Sequence, residues 1–121
     1  RAAKGEPLVI FGDGSQSRDF TYVENVVNAT MAAARVPLDG SLVCNIGCGS
    51  RHTLDDLAEA AKRVTGRDVP IEYAAPRTGD VMHSFADITL AREKLEYHPS
   101  VALDEGLEQT LEWLQAAAWR T

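Results

Sequence analysis

At 121 residues the chain is long enough for one hydrophobic core and short for two, so a single domain over 1–121 is expected. Hydrophobic residues make up 45% and charged residues 25%, which excludes a disordered or collagen-like chain; no apolar run approaches the roughly 20 residues that span a bilayer, and no signal peptide is visible. The net charge of −6 disfavours a nucleic-acid backbone as partner but leaves room for a small anion held by a few local guanidinium groups, because exposed charges are screened beyond about 8 to 10 Å.

Residues 8–11, Leu-Val-Ile-Phe, read as a short strand closed by the turn signal Gly12-Asp13-Gly14, which favours a hairpin-type turn into a second short strand over residues 20–22. From Val23 the apolar period becomes helical, with Val23, Val26, Val27, Thr30, Met31 and Ala34 on one stripe and Pro37 and Gly40 just beyond the end. Residues 42–46 predict a strand with Leu42, Cys44 and Ile46 on one face. Gly47-Cys48-Gly49-Ser50 then turns into Thr53, an N-cap for a helix striped by Leu54, Leu57, Ala58, Ala61 and Thr65. Asp55 and Asp56 suit the positive end of its dipole, Lys62 and Arg63 the negative end, and Gly66 is placed to stop it. Residues 69–73 read as a strand halted by Pro76, and Asp87 as the cap of a short helix that turns Ile88, Ala91 and Leu95 inward. Asp104 is expected to cap a last helix striped by Leu107, Leu111, Leu114 and Ala118. Alternating strands and helices make the fold class α/β.

Several arrangements suggest chemistry that the residues do not complete. Cys44, Cys48 and His52 sit at four-residue intervals, but a zinc site usually has four ligands and no fourth is offered, so no metal is expected and both thiols read as reduced, cytoplasmic cysteines. Gly12-x-Gly14 follows a strand, yet the third glycine of a dinucleotide loop is absent and the next element reads as strand. Gly47-x-Gly49 is preceded by a strand and followed by a capped helix, with Glu72 at the end of the next strand, an order that fits a nucleotide or S-adenosylmethionine pocket; Asn45-Ile46-Gly47-Cys48-Gly49 resembles the first methyltransferase motif, with Asn45 in place of its acid and Arg51 in place of a third glycine. The proton-transferring pair Tyr-x-x-x-Lys is missing: four positions after Tyr22, Tyr73 and Tyr97 stand Val26, Arg77 and Val101. His52, His83 and His98 lie in loops or beside turns without a nucleophile pattern, so no catalytic residue is assigned.

Arg18 and Arg77 are the stronger candidates. A guanidinium offers planar, permanently charged donors that match phosphate oxygens, and two of them converging from separate loops neutralise a diphosphate. Sequence spacing alone does not bring them together, and an ion pair with Asp19 or Asp80 is the ordinary alternative for Arg18 or Arg77. Asp80, behind Gly79 in a proline-led turn, is suited to accept hydrogen bonds from sugar hydroxyls or simply to cap the turn. Val9, Phe11 and Phe20 alternate onto strand faces that suit either an apolar slot for a base or a core.

The chain resembles the C-terminal region of the nucleotide-sugar epimerases and dehydratases, the extended short-chain dehydrogenase/reductase family, with UDP-glucose 4-epimerase-like enzymes the nearest type. The resemblance runs from Lys4-Gly5-Glu6-Pro7 and Val9-Ile10-Phe11-Gly12-Asp13-Gly14 through Arg18-Asp19-Phe20 and Tyr22-Val23 to Asn45-Ile46-Gly47, Pro76-Arg77-x-Gly79-Asp80, Ala86-Asp87-Ile88 and Leu103-x-Glu105-Gly106-Leu107 with Trp113. It implies that Arg18 and Arg77 contact the diphosphate of a UDP- or dTDP-sugar, Asp80 the ribose hydroxyls, and Val9, Phe11 and Phe20 the surroundings of the base. It also implies an α/β substrate-binding part whose NAD and Tyr/Lys pair belong to a preceding Rossmann domain, so the chain alone is expected to hold no cofactor and to be inactive. The helix from Val23 and the strand over 42–46 would pack on that Rossmann side, so without it the chain is expected to expose apolar surface and to self-associate, take a partner subunit or be of low stability. Asn25 stands where the family commonly has Asp, Cys48 where a glycine or small hydroxylated residue is usual, and Glu96 where Gly is common. A non-catalytic binding or interaction module descended from the family is the alternative, and an S-adenosylmethionine-binding methyltransferase fragment the third reading.

Overall fold

The computed structural model describes residues 1–37 and 39–117. After a single 3-10 turn at Ala2–Lys4, β1 (Leu8–Phe11) runs parallel to β4 (Ile71–Ala74), with Leu8 opposite Ile71 and Phe11 opposite Ala74. A parallel pair needs a long crossover. Here the crossover contains β2 (Ser17–Arg18), α1 (Val23–Arg35), β3 (His52–Thr53) and α2 (Leu54–Thr65), and β2 and β3 form a second, antiparallel pair. α3 (Thr89–Leu95) and α4 (Leu103–Ala117) follow β4. β4 starts later than the sequence suggests because Pro70 has no amide to give a ladder; its carbonyl instead accepts from Leu8.

Gly12-Asp13-Gly14 does not close a hairpin, since β1 and β2 lie in different sheets. The loop docks instead on the start of α2: the Leu54 amide donates to the Gln16 carbonyl (2.9 Å) and the Asp55 amide to the Gly14 carbonyl (3.2 Å). Gly14 has a φ of 83°, and a Cβ there would strike the Asp55 carboxylate, so the close approach requires glycine. The next two orphan donors are met by a capping box, in which the Asp56 amide donates to the Thr53 hydroxyl (3.0 Å) and the Thr53 amide to the Asp56 carboxylate (2.8 Å). Gly66 ends α2 with a left-handed φ of 66°. Ala58 and Ala60 are its buried residues, while Leu54, Leu57 and Ala61 line a cavity beside β1.

The second strand falls at Ser17–Arg18 rather than at 20–22. The Phe20 carbonyl accepts from the Cys48 thiol, and the Tyr22 carbonyl accepts the Asn25 amide at the start of α1, so neither is available for a ladder. α1 presents Asn25 and Ala29 to the interior and leaves Val23 64% and Val27 51% exposed, with Val26 and Met31 exposed beside them. Its core partners are Ile88, Ala91 and Leu95 of the α3 region and Tyr97, with Ala32, Leu42, Cys44, Ile46 and Ala86 packed alongside. Residues 42–46 thus alternate as a strand would, with Val43 91% exposed between inward neighbours, but they have no ladder partner among the described residues and form no strand.

Asp104 lies inside α4 rather than before it, because the Gly106 amide already reaches the Ala102 carbonyl. Its carboxylate takes a two-pronged contact from Arg63 of α2, at 2.9 and 3.0 Å from Nη2. Leu107 and Leu111 are half-buried and Leu114 is exposed, whereas the expected Ala118 lies outside the described residues. α3 ends on Glu96 in the left-handed region, φ 53°, which costs a side-chain-bearing residue strain that glycine avoids. Glu96→Gly is therefore expected to stabilise the chain by about 0.5–1 kcal/mol, read as a higher thermal midpoint; a lower midpoint would show that the Glu96 side chain outweighs the relief.

Candidate functional site

The segment 75–88 between β4 and α3 carries Arg77 and Asp80. The Asp80 amide donates to the Arg77 carbonyl across a turn (3.2 Å) whose third residue, Gly79, has a φ of 83°, the geometry in which a glycine is favoured at that position. This turn projects Arg77 back over β1, where its guanidinium carbon lies 3.9 Å from the centroid of the Phe11 ring. Phe11 is fixed in turn by Gln16, whose amide nitrogen donates to the Phe11 carbonyl (2.5 Å). Asp80 meets Arg18: Nη2 donates to Oδ1 at 2.5 Å, while Nη1 of Arg18 donates to the Ser17 carbonyl (2.8 Å) and the Met82 carbonyl (3.3 Å). The ordinary ion-pair alternative for Arg18 is thus realised with Asp80 and not with Asp19. Arg77 forms no ion pair among the described residues.

These side chains separate two cavities. One, of about 430 Å³, is mainly apolar and is lined by Val9, Phe11, Leu54, Leu57, Arg77 and Asp80 among others. The other, of about 370 Å³, is lined by Arg18, Asp19, Thr21, Asn45, Ser84 and Phe85 among others. The Arg18–Asp80 pair links them, since Asp80 lines the first cavity and its partner Arg18 the second. The structure therefore gathers Arg18, Arg77, Asp80, Val9 and Phe11 into one neighbourhood. Phe20 is not part of it, since its ring borders recesses formed with Cys48, His52 and Val101 and with Tyr22, Leu57 and Leu107.

Both glycine loops have their polar groups engaged internally. Asp19 places its carboxylate against the second: the Cys48 amide donates to Oδ1 (2.8 Å) and the Gly49 amide to Oδ2 (2.9 Å), with Thr21 and Ala86 completing the set. A Cβ on Gly47 would sit 2.6 Å from Asp19 Oδ2, so glycine is needed for this approach. The amides that resemble an anion nest already hold an anion. At the first loop, the carbonyls of Gly14 and Gln16 occupy the leading amides of α2, and Asp55 and Asp56 add negative charge there. Neither arrangement fits a dinucleotide pyrophosphate. Asp19 and Gln16 were not legible as organisers in the sequence, because their partners lie on other loops; Gln16, one of three buried polar residues, leaves its Oε1 without a partner among the described residues.

Tyr97 and Tyr73 spend their hydroxyls on the chain itself. Tyr97 is buried and donates to the Gly47 carbonyl (2.8 Å); burial, followed by the nearby Cys48 and Asp19, raises its pKa above the usual phenol value. Tyr73 donates to Asp55 (2.8 Å), and that hydrogen bond, with smaller contributions from desolvation and charge, also raises its pKa. Neither phenol is tuned toward proton exchange near neutrality. No helix of the described residues is long and apolar enough to cross a membrane.

The family model described as GDP-mannose 4,6 dehydratase matches residues 1–110. The UDP-glucuronate 4-epimerase of Thermodesulfobacterium geofontis is 35% identical over 109 residues, 89% of this chain and 33% of that protein. Among solved structures, a UDP-glucose 4-epimerase from Thermotoga maritima with UDP-glucose superposes with a TM-score of 0.89 at 41% identity, covering 98% of this chain and 38% of the other. A UDP-glucuronic acid 4-epimerase from Bacillus cereus, in complex with UDP-glucuronic acid and NAD, gives a TM-score of 0.86 at 30% identity over 94% of this chain and 37% of the other. The chain spans about a third of the length of the curated relatives it matches. Extensive similarity to enzymes of nucleotide-sugars, on a shared fold, places this chain with the extended short-chain dehydrogenase/reductases: it belongs to the GDP-mannose 4,6-dehydratase family of nucleotide-sugar epimerases and dehydratases.

Proposed function

We propose that the chain is the nucleotide-sugar-binding region of an NAD-dependent epimerase or dehydratase, C-terminal in the complete enzyme, and that it grips a UDP-sugar without performing the hydride chemistry itself. The observation that carries this reading is the Arg18–Asp80 pair linking two cavities, with Arg77 laid over Phe11 in the lining of the apolar one. An apolar slot beside Val9 and Phe11 suits a base, Asp80 suits ribose hydroxyls, and the two guanidinium groups suit the diphosphate. The recess with Thr21, Asn45 and Ser84 offers hydroxyl and amide groups to the sugar. Phe20 stands apart and is left out of these contacts. Solved relatives bind UDP-glucose, or UDP-glucuronic acid together with NAD, which supports a UDP-sugar as the ligand class. NAD does not suit either glycine loop of this chain, so its binding falls to other parts of the enzyme. The two free cysteines are in keeping with a cytoplasmic setting.

Calorimetric titration with uridine diphosphate and with UDP-glucose tests this directly. Saturable binding is expected with a dissociation constant on the order of 100 μM, because the two-cation site is open to solvent. A folded chain that gives no heat at millimolar ligand would overturn it and favour the non-catalytic interaction module. That second reading draws on the exposed stripe of Val23, Val26, Val27 and Met31, a surface of the kind that partners cover. In the leading reading this stripe packs against the rest of the enzyme. Sedimentation of the isolated chain should then show self-association or binding of a hydrophobic dye, and a dye-silent monomer would argue against any covered face.

A further inference from the structure

Arg77 and Asp80 sit on a segment that has no ladder or helix of its own between Ala74 and Thr89, apart from one isolated bridge that pairs Ser17 with His83. At that bridge three groups of Ser17 engage the segment. Its amide donates to the Met82 carbonyl (2.9 Å), its carbonyl accepts from the Ser84 amide (3.0 Å), and its hydroxyl lies 2.9 Å from Nδ1 of His83. Ser17 is 6% exposed, so its hydroxyl needs a protein partner, and His83 Nδ1 accepts that proton when the ring carries its own hydrogen on Nε2. The next residue is Arg18, whose guanidinium reaches Asp80 on the same segment. Neither Ser17 nor His83 lines either cavity at the site.

We propose that Ser17 and His83 are positioning residues: their side-chain hydrogen bond sets the register of the 75–88 segment on β2, and so fixes Asp80 and Arg77 relative to Arg18. Two backbone hydrogen bonds at the bridge, with the contacts of Arg18 to Met82 and Asp80, already tie the segment to β2 along one line. The side-chain contact adds a point off that line, which resists twisting of the segment about it and completes a clamp. The ligand part of this inference rests on the nucleotide-sugar reading above, whereas the clamp rests on geometry alone.

The test uses the chain with His83→Ala and with His83→Asn, whose amide oxygen can stand near the place of Nδ1. Hydrogen exchange in the ligand-free chain and affinities for uridine diphosphate and uridine are measured for each. With His83→Ala, amides over 77–84 are expected to exchange faster while those of α2 and α4 do not change. Uridine diphosphate should bind roughly fivefold more weakly, the scale of one hydrogen bond, and uridine within about twofold. His83→Asn should restore most of both effects. Unchanged exchange over 77–84, an equal rise throughout α2 and α4, or a failure of His83→Asn to differ from His83→Ala would overturn the clamp. If the parent binds no uridine diphosphate, the nucleotide reading fails alone, and the exchange measurements still decide the clamp.

Discussion

An Arg18→Ala chain is expected to bind uridine diphosphate about 50-fold more weakly than the parent, with uridine changed by no more than about twofold. Two effects act in the same direction. The substitution removes a guanidinium that Ser17, Met82 and Asp80 already hold in place, so the lost contact is a pre-organised one. It also strips Asp80 of its counter-charge, leaving an unpaired carboxylate beside the place where the guanidinium would meet the diphosphate. The second effect is separable: with the uridine affinities reporting the ribose contact that Asp80→Ala also removes, the Arg18→Ala/Asp80→Ala double variant should lose less than the two single variants together, and the cycle measures the coupling. Arg18→Lys keeps the charge but not the planar fork that spans two carbonyls and a carboxylate, so about tenfold weakening is expected there. Side-chain exposures of 27% for Arg18 and 36% for Asp80 mean that solvent and salt screen the pair, and the difference should shrink as ionic strength rises. Calorimetry at two salt concentrations reads all of this. Equal affinity of Arg18→Ala and parent would sink the diphosphate assignment.

How far this neighbourhood could be seen in the sequence depends on the range of the interactions that make it. Local chemistry was legible. Thr53 caps α2 through a box closed three residues later, and Gly66 stops the helix one step beyond its last turn. Ile88, Ala91 and Leu95 turned inward as their spacing required. Pairing was not legible, because a strand is a relation between two segments. Residues 42–46 keep the alternation of a strand without a ladder, and Ser17–Arg18 became a strand because His52, Thr53 and His83 come to meet it. Helical period marked α1 correctly but not its inward side: hydrophobicity pointed to Val23, Val26, Val27 and Met31, while the core took Ala29 and the polar Asn25. Arg18, Arg77 and Asp80 could be named from the motifs they share with a family, yet their meeting depends on a contact between β2 and the 75–88 segment that no spacing encodes. Asp19 shows the same limit, since the amides it occupies lie about thirty residues along the chain.

Asn25→Ala should be among the most damaging single substitutions in this chain, lowering stability by about 3–4 kcal/mol. Asn25 is fully buried on the inner face of α1, and its side chain reproduces a strand's pairing with the segment before α4. Oδ1 accepts from the amides of Ser100 (2.9 Å) and Val101 (3.0 Å), while Nδ2 donates to the Val101 carbonyl (2.8 Å) and lies 3.6 Å from Cys48 Sγ. Alanine leaves the buried Val101 amide and carbonyl without partners, while the amide of the exposed Ser100 can turn to water, and each buried orphan costs about 1–3 kcal/mol. It also opens a small void between α1 and the start of α4. The amide has a feature that a carboxylate lacks: only Asn can both accept from two amides and donate to the facing carbonyl. Asn25→Asp keeps the acceptors and replaces the donor by a second oxygen turned toward the Val101 carbonyl, so an intermediate loss of about 1–2 kcal/mol is expected. The Val101 carbonyl, within donor distance of Nδ2, is thus what suits an asparagine to this position in this chain. For a chain of this size a loss of 3–4 kcal/mol lowers the thermal midpoint by roughly 10–15 °C. Chemical denaturation of parent, Asn25→Asp and Asn25→Ala should give midpoints in that descending order with slopes unchanged. A parent-like midpoint for Asn25→Ala would mean that water replaces the amide without cost, and that the contact between α1 and the start of α4 is held elsewhere.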